Sequence, residues 1–456
     1  MQGSAMNDSA RMSAHSTGYV IFLATIVAIS GFLLGFNTAV ISGVLVFLRG
    51  AFGLNNASME IATSALLLGC LLGAAGASLI GDRFGRRKSL ILTAVVFGAS
   101  TVMATLAHSV TVFSVGRLAG GLAVGLSSVL TPVYIAEIAP ARNRGTLVSM
   151  NQLAIVIGIL IAYLVNWSFA GWFSESWRWM IGIALIPALI LFIGLLAVPE
   201  SPRWLIGHER REQGKQVLER LYGTVEAARQ LAEVEEAASG EGGSWHEVFS
   251  RPMRKPLTIA LGLAILSQIT GVNAVLYYGS ILISEQFRGQ TTNTALLSSV
   301  TIGFANLIST VIAMRFLDCW GRRPMLLTAS GGMFISLAIL VAAFKIPGIS
   351  TLIVLGSVIS YIAFFAFGMG PVPWVVISEI FPNKIRGRAA SLATSALWTG
   401  TLLVTFTFLS LVRTLGVSGT FAIFAALSGL SFLFVLRIVP ETRGKSLEEI
   451  QQTWGR

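Results

Sequence analysis

Apolar residues run along the chain in long blocks divided by short polar clusters. Six blocks, at about 19–48, 61–81, 89–107, 111–136, 147–168 and 179–198, precede a polar stretch, and six more follow it at 257–284, 295–317, 325–344, 350–378, 389–412 and 418–438. A hydrocarbon core about 30 Å thick requires roughly 20 apolar residues per helix, and the blocks meet that length. Backbone inside such a block must satisfy its own hydrogen bonds, which a helix does. The roughly ten-residue alternation of a transmembrane β-barrel is missing from the pattern. The expected fold is therefore all-α and integral to the membrane, with twelve transmembrane helices.

Composition agrees: 12% of the 456 residues are charged and 54% are hydrophobic, against about 25% charged in an ordinary soluble domain. The formal net charge of +11 would suggest a nucleic-acid partner if it sat on one soluble module. Instead Lys and Arg cluster after the second, fourth, sixth, eighth, tenth and twelfth blocks, as in Arg83, Arg86, Arg87 and Lys88, while the intervening loops carry one such residue each or none: Arg49, Arg178, Arg288, Lys345 and Arg413. The positive-inside rule then places both termini and the central loop in the cytoplasm of a multi-pass protein of the cell (inner) membrane. The first block is too long for a signal-peptide core and no small-residue cleavage site follows it. Cys70 and Cys319 imply no disulfide framework, and the four histidines lack ligand-like spacing, so neither a metal nor a cofactor is expected.

The chain repeats itself. GDRFGRR at 81–87 returns as LDCWGRR at 317–323, matching Asp82 with Asp318 and Arg86 with Arg322, 236 positions apart. AEIAPARNRG at 136–145 returns as SEIFPNKIRG at 378–387, matching Glu137 with Glu379 and Arg144 with Arg386 at an offset of 242. Two six-helix halves related in this way are a recurring transporter design. The expected organisation is a cytoplasmic tail at 1–18, a first half at 19–198, a cytoplasmic helical linker at 199–256, a second half at 257–438 and a cytoplasmic tail at 439–456. In the linker, Leu218, Leu221, Val225 and Ala228 fall at three-to-four-residue spacing, as on one face of a helix; the segment reads as a cytoplasmic cap of short amphipathic helices, too short and polar to bury a core of its own.

With GRR after blocks two and eight, PESPRWL at 199–205, SQITGVNAVLYY at 267–278, GPVPW at 370–374 and PETRGKSLEEI at 440–450, the chain resembles the sugar porter family of the major facilitator superfamily over nearly its whole length. The resemblance implies the two-half facilitator fold, transport by alternating access, and no enzyme activity.

A sugar site needs side chains that both donate and accept, together with aromatic faces for the ring. The blocks offer Gln152, Gln268, Asn273 and Asn306, with Tyr277, Trp374 and Trp398. Amides inside a bilayer face a cavity or a partner; the competing reading is a bond between helices. Gln268 and Asn273, five apart, lie about 140° round a regular helix, so they share a cavity only if the helix breaks, for which Gly271 is suited. Pro371 and Pro373 break block ten near Trp374 in the same way. The resemblance puts Gln152, Gln268, Asn273, Asn306 and Trp374 at sugar-contacting positions. The chain departs from the family at Ser267, Leu397 and Ala366, where many or some members have Gln, an amide and Glu, which leaves a pentose, a hexose, a deoxy sugar or a polyol open.

The eight repeated charges, Asp82, Arg86, Glu137, Arg144, Asp318, Arg322, Glu379 and Arg386, stand at helix ends. They read either as orienting charge and helix caps or as an ion-pair network latching the halves together on the cytoplasmic side, and the resemblance implies the latch. In the first block Asn37 stands where proton-coupled members commonly have Asp and facilitative ones Asn. Arg117 is the family's partner for that Asp, and Ala184 occupies the place of a second symporter carboxylate. Independently, no Asp, Glu or His lies inside a block, and Arg does not release its proton. The expectation is a facilitative monosaccharide carrier acting as a monomer, with sugar and the bilayer as its partners and no nucleic acid. The alternative is a sugar/proton symporter, with protons as a further partner, or an Asp-to-Asn variant of one. A sugar-sensing receptor is a further alternative, against which the short tail after block twelve argues.

Overall fold

The computed structural model describes residues 2–140, 144–172, 175–239, 244–286, 292–346, 351–382 and 385–443, and the side chains of Arg144 and Asp318 lie outside the description. Every regular element among the described residues is helical. Span one is Gln2–Ala39 continued by Ile41–Phe52, with hydrogen bonds running through the bend at Val40. Spans two to five are Asn56–Phe84, Arg86–Thr105, Val110–Ile138 and Arg144–Phe169. Span six joins Ser176–Gly182 to Leu185–Ala197, and span seven joins Arg254–Ile269 to Val272–Gln286. Eight and nine are Thr292–Trp320 and Arg322–Ala343. Span ten runs Thr351–Phe364, through a wide turn at Phe365–Met369, into Val372–Ile380. The last helix, Arg386–Ile438, holds spans eleven and twelve, which meet at Gly416 with φ 72°. Twelve crossings result, as the apolar blocks require.

Helix ends follow local chemistry. Gly53, left-handed at φ 61°, ends span one. The Asn55 side chain caps span two by accepting from the Ser58 N–H at 2.8 Å. That cap starts the helix ahead of the apolar block and carries Glu60 inside it, buried at 4% exposure. The expectation that acids stay out of the packed spans fails here, because hydropathy marks where apolar residues begin and a capping side chain marks where the helix begins.

Spans two and four pack backbone to backbone: a methyl group at Gly121 would run into the Leu66 carbonyl, and Gly69 and Gly73 sit against the same helix. Small residues at four-residue spacing permit this where lipid supplies no hydrophobic drive between helices. Leu72 and Leu79 of span two, with Ile186, Leu189, Ile190 and Ile193 of span six, stay exposed on the outside of the bundle, as side chains in hydrocarbon can. The halves meet chiefly through spans two with eleven and five with eight. The Ser391 hydroxyl donates to the Ala74 carbonyl at 2.6 Å and the Tyr163 hydroxyl to the Leu276 carbonyl at 2.9 Å across that seam. One end of the bundle carries the GRR motifs and the linker and is termed the motif end; the other is the opposite end.

The linker is a run of short helices, but its four apolar positions do not share one face. Its helices are Pro202–Gly207, Arg211–Tyr222, Thr224–Ser239 and Trp245–Val248. The chain turns at Gly223, φ 78°, so the four apolar positions do not share one helix. Leu218 faces inward with Ala227 and Leu231 in a small cluster of their own, and Ala228 is exposed. The side chain of Val225 lies outside the described residues.

Candidate transport site

The two amides of span seven meet. Gly271, at φ 91°, breaks the helix between them, and the Asn273 amide donates to Gln268 Oε1 at 2.5 Å. Thr401 of span eleven donates to the same oxygen at 3.2 Å, and the Gln268 amide donates to Ser267 Oγ at 3.0 Å. The Thr270 carbonyl, freed by the break, accepts the Tyr361 hydroxyl of span ten at 2.9 Å. Gln268 is buried and Asn273 half-buried, which gives a small polar network whose bonds a hydroxylated ligand could exchange.

The other candidates surround this network more loosely. Tyr277, Asn306 and Trp398 are buried, and Gln152 and Trp374 are half-buried. Trp398 Nε1 lies 3.4 Å from Ser128 Oγ of span four, across the seam. Trp374 follows the wide turn of span ten, with Pro371 at its helix cap. Among the described residues no hydrogen bond joins Gln152 or Asn306 to the span-seven pair.

Arg117 lies buried in span four at 3% exposure. Its Nη1 donates to the main-chain carbonyl of Asn37 at 2.8 Å, and the Asn37 amide donates to Leu33 O at 3.0 Å. No carboxylate pairs with Arg117 among the described residues, and its Nε finds no hydrogen-bond partner there. An ion held this way forgoes hydration worth several kcal/mol.

At the motif end the repeated charges pair inside each half. Arg86 bonds Asp82 at 3.0 Å, and its Nε stands 3.2 Å from Glu137 Oε2, close enough for an ion pair but misaligned for a hydrogen bond. Arg322 donates to Glu379 Oε1 at 2.7 Å, and Thr442 donates to the other Glu379 oxygen at 2.6 Å. Arg386 donates to Phe381 O at 3.2 Å. A latch between halves was expected; among the described side chains these pairs brace one half each.

Two further acids complete the brace. Glu200 Oε1 accepts the N–H groups of Arg86, Arg87 and Ser201 at 2.8, 3.0 and 2.9 Å. Glu441 accepts those of Arg322 and Arg323 at 2.9 and 3.0 Å. Each carboxylate thus sits on the positive N-terminus of a span, where orphan N–H groups and the helix dipole favour it. Gly85 and Gly321, at φ 91° and 96°, lead into these spans, and a side chain at either would strike the carboxylate. Arg87 and Arg323 return the contact, donating to Leu196 O and Leu436 O at 2.6 Å each. The signal in the sequence is Pro-Glu-Ser at 199–201 recurring as Pro-Glu-Thr at 440–442.

A model of the family described as sugar (and other) transporter matches residues 23–454. The D-xylose transporter of Levilactobacillus brevis is 39% identical, with 96% of each chain covered. The glucose transporter GlcP of Staphylococcus epidermidis is 37% identical, covering 95% of this chain and 96% of that one. The solved structure of the proton:xylose symporter XylE bound to 6-bromo-6-deoxy-D-glucose superimposes with a TM-score of 0.82 at 34% identity, over 96% of this chain and 100% of that one. Motifs, twelve-span fold and relatives agree: the chain belongs to the sugar porter family of the major facilitator superfamily and is a multi-pass membrane transporter of sugars, with no enzyme activity.

Proposed function

We propose that the protein is a facilitative monosaccharide carrier that exposes one central site alternately to the two sides of the membrane. The observation that carries this reading is Arg117 bonded to the carbonyl of Asn37, with no acid beside it among the described residues. A proton-coupled carrier needs a titrating group in the membrane where substrate binding can sense it, and an amide does not titrate. The sugar site consists of Gln268, Asn273, Tyr277 and Trp374, with Gln152, Asn306 and Trp398 on the facing spans. The Gln268–Asn273–Thr401 network supports it, since each bond there can be exchanged for one to a sugar hydroxyl. The Lys and Arg asymmetry orients the motif end, both termini and residues 199–256 to the cytoplasm of the cell (inner) membrane. The halves 19–198 and 257–438 move against each other within a monomer, and the motif-end charges steady the cytoplasmic face.

Proton symport is the second reading, favoured by the likeness to a proton:xylose symporter and by the buried carboxylate of Glu60. Proteoliposomes separate the two. At a membrane potential of 100 mV one coupled proton supplies about 2.3 kcal/mol, enough for roughly a 50-fold sugar gradient, whereas a facilitator brings its substrate to a ratio near one. Counterflow of labelled xylose, glucose, arabinose and inositol, with a pH dye inside the vesicles, is expected to show exchange without alkalinisation. Accumulation far above equilibrium would establish the symporter.

A further inference from the structure

Two charged side chains among those described are buried, Arg117 and Glu60. Arg117 belongs to the site above; Glu60 does not. It lies one turn into span two, at the opposite end of the bundle, and both its oxygens reach the other half. Ser410 of span eleven donates its N–H to Oε1 at 2.8 Å and its hydroxyl to Oε2 at 2.9 Å. Glu60 is 4% exposed, and Phe408, two residues before Ser410, is fully buried and stacks on Tyr278 of span seven at 5.4 Å between ring centres. Hydrogen bonds to an ionised acceptor in such a setting are stronger than in water, and an unpaired carboxylate there is costly. Among the described residues no cation forms a salt bridge with Glu60, and its hydrogen bonds there come from Ser410.

The internal repeat sharpens the point. The offset of 236 that relates spans two and eight places Leu296 at the counterpart of Glu60, and Leu296 is equally buried, at 1% exposure. A leucine therefore suits this place in one half, and the fold does not require an acid there. At this end of span two the acid stands where the seam with span eleven closes through Ser410.

We propose that Glu60 is a positioning residue for the transport cycle, the latch that holds the opposite end closed across spans two and eleven while the motif end exchanges substrate. The proposal rests on the alternating-access reading, and on the proposed orientation, which makes this the outer gate. When the end opens, water replaces Ser410 on the carboxylate, so the latch is firm when dry and releasable when wetted.

The experiment uses the full chain in nanodiscs, with spin-label pairs spanning the gap between halves at each end. Glu60→Leu keeps volume and removes both bonds. It is expected to shift the open-to-closed ratio of the opposite end about tenfold or more towards open, the size of effect two ordinary hydrogen bonds carry. Ser410→Ala removes one donor and is expected to shift the ratio roughly threefold, while Glu60→Gln, which still accepts the N–H and can donate to the hydroxyl, stays near the parent. In vesicles Glu60→Leu lowers the half-saturating sugar concentration from outside and raises it from inside, a split that plain destabilisation does not produce. Distances unchanged in both Glu60→Leu and Ser410→Ala would overturn the latch, and should the leucine variant fail to insert, Ser410→Ala decides alone. The distances are read without substrate. Failure of the sugar assignment therefore leaves this test standing, and unchanged distances beside normal sugar exchange would sink the latch alone.

Discussion

Arg117 donates to the main-chain oxygen of Asn37 at 2.8 Å while the Asn37 amide turns away to Leu33. Among the described residues the cation thus meets a dipole and not an opposite charge. Peptide oxygens do not titrate in the physiological range, so the contact is indifferent to pH. Asn37→Asp places an acid next to a buried, half-satisfied guanidinium. Sugar binding is expected to be flat between roughly pH 5.5 and 8 in the parent and to acquire pH dependence in the variant, since only the variant adds a titrating group. Binding measured by calorimetry across that range checks it; equal slopes would remove Asn37 from the coupling position.

Asn273→Ala removes the donor to Gln268 and one group offered to substrate. Sugar affinity is expected to fall by roughly 5- to 150-fold, about 1–3 kcal/mol, with folding retained. Thr401→Val takes away the other donor to the same oxygen and leaves Asn273 in place, so a smaller loss is expected. Parent affinity in Asn273→Ala would mean that the amide serves helix packing alone.

Glu200→Gln and Glu441→Gln each keep an acceptor on the N-terminus of a span but lose its charge. Each is expected to lower stability by about 1–2 kcal/mol, read as a drop in melting temperature in detergent. Gly85→Ala should cost more than either, because a side chain there meets both a left-handed backbone and the Glu200 carboxylate. The order of the three melting temperatures is the test.

Lys215→Cys probes orientation, since Lys215 is exposed on the second linker helix. An impermeant maleimide applied to intact cells is expected to leave it unlabelled until the membrane is permeabilised. Labelling from outside would invert the topology.

Hydropathy alone located the twelve spans, because a bilayer demands length and apolarity in a form that counting detects. The breaks at Gly271 and at Pro371 and Pro373 were legible too, since those residues have few other uses inside a helix. Glu60 was not: its burial depends on a cap at Asn55 and on a partner 350 positions away, and neither leaves a mark on local pattern. The linker misled for a related reason, as a three-to-four periodicity runs smoothly across Gly223 on paper while the chain turns there. Among the described side chains Arg86 and Arg322 each pair within one half, a matter of which helix ends adjoin, which motif matching does not encode.

The carboxylates of Glu200 and Glu441 have a mechanical consequence. Each ties the turn between the second and third helix of its half to the segment leaving the sixth, so helices three to six are closed into a hoop and not left as an open row. A hoop resists shear. Such stiffness within each half confines the flexing to the seam, where Ser410 can part from Glu60.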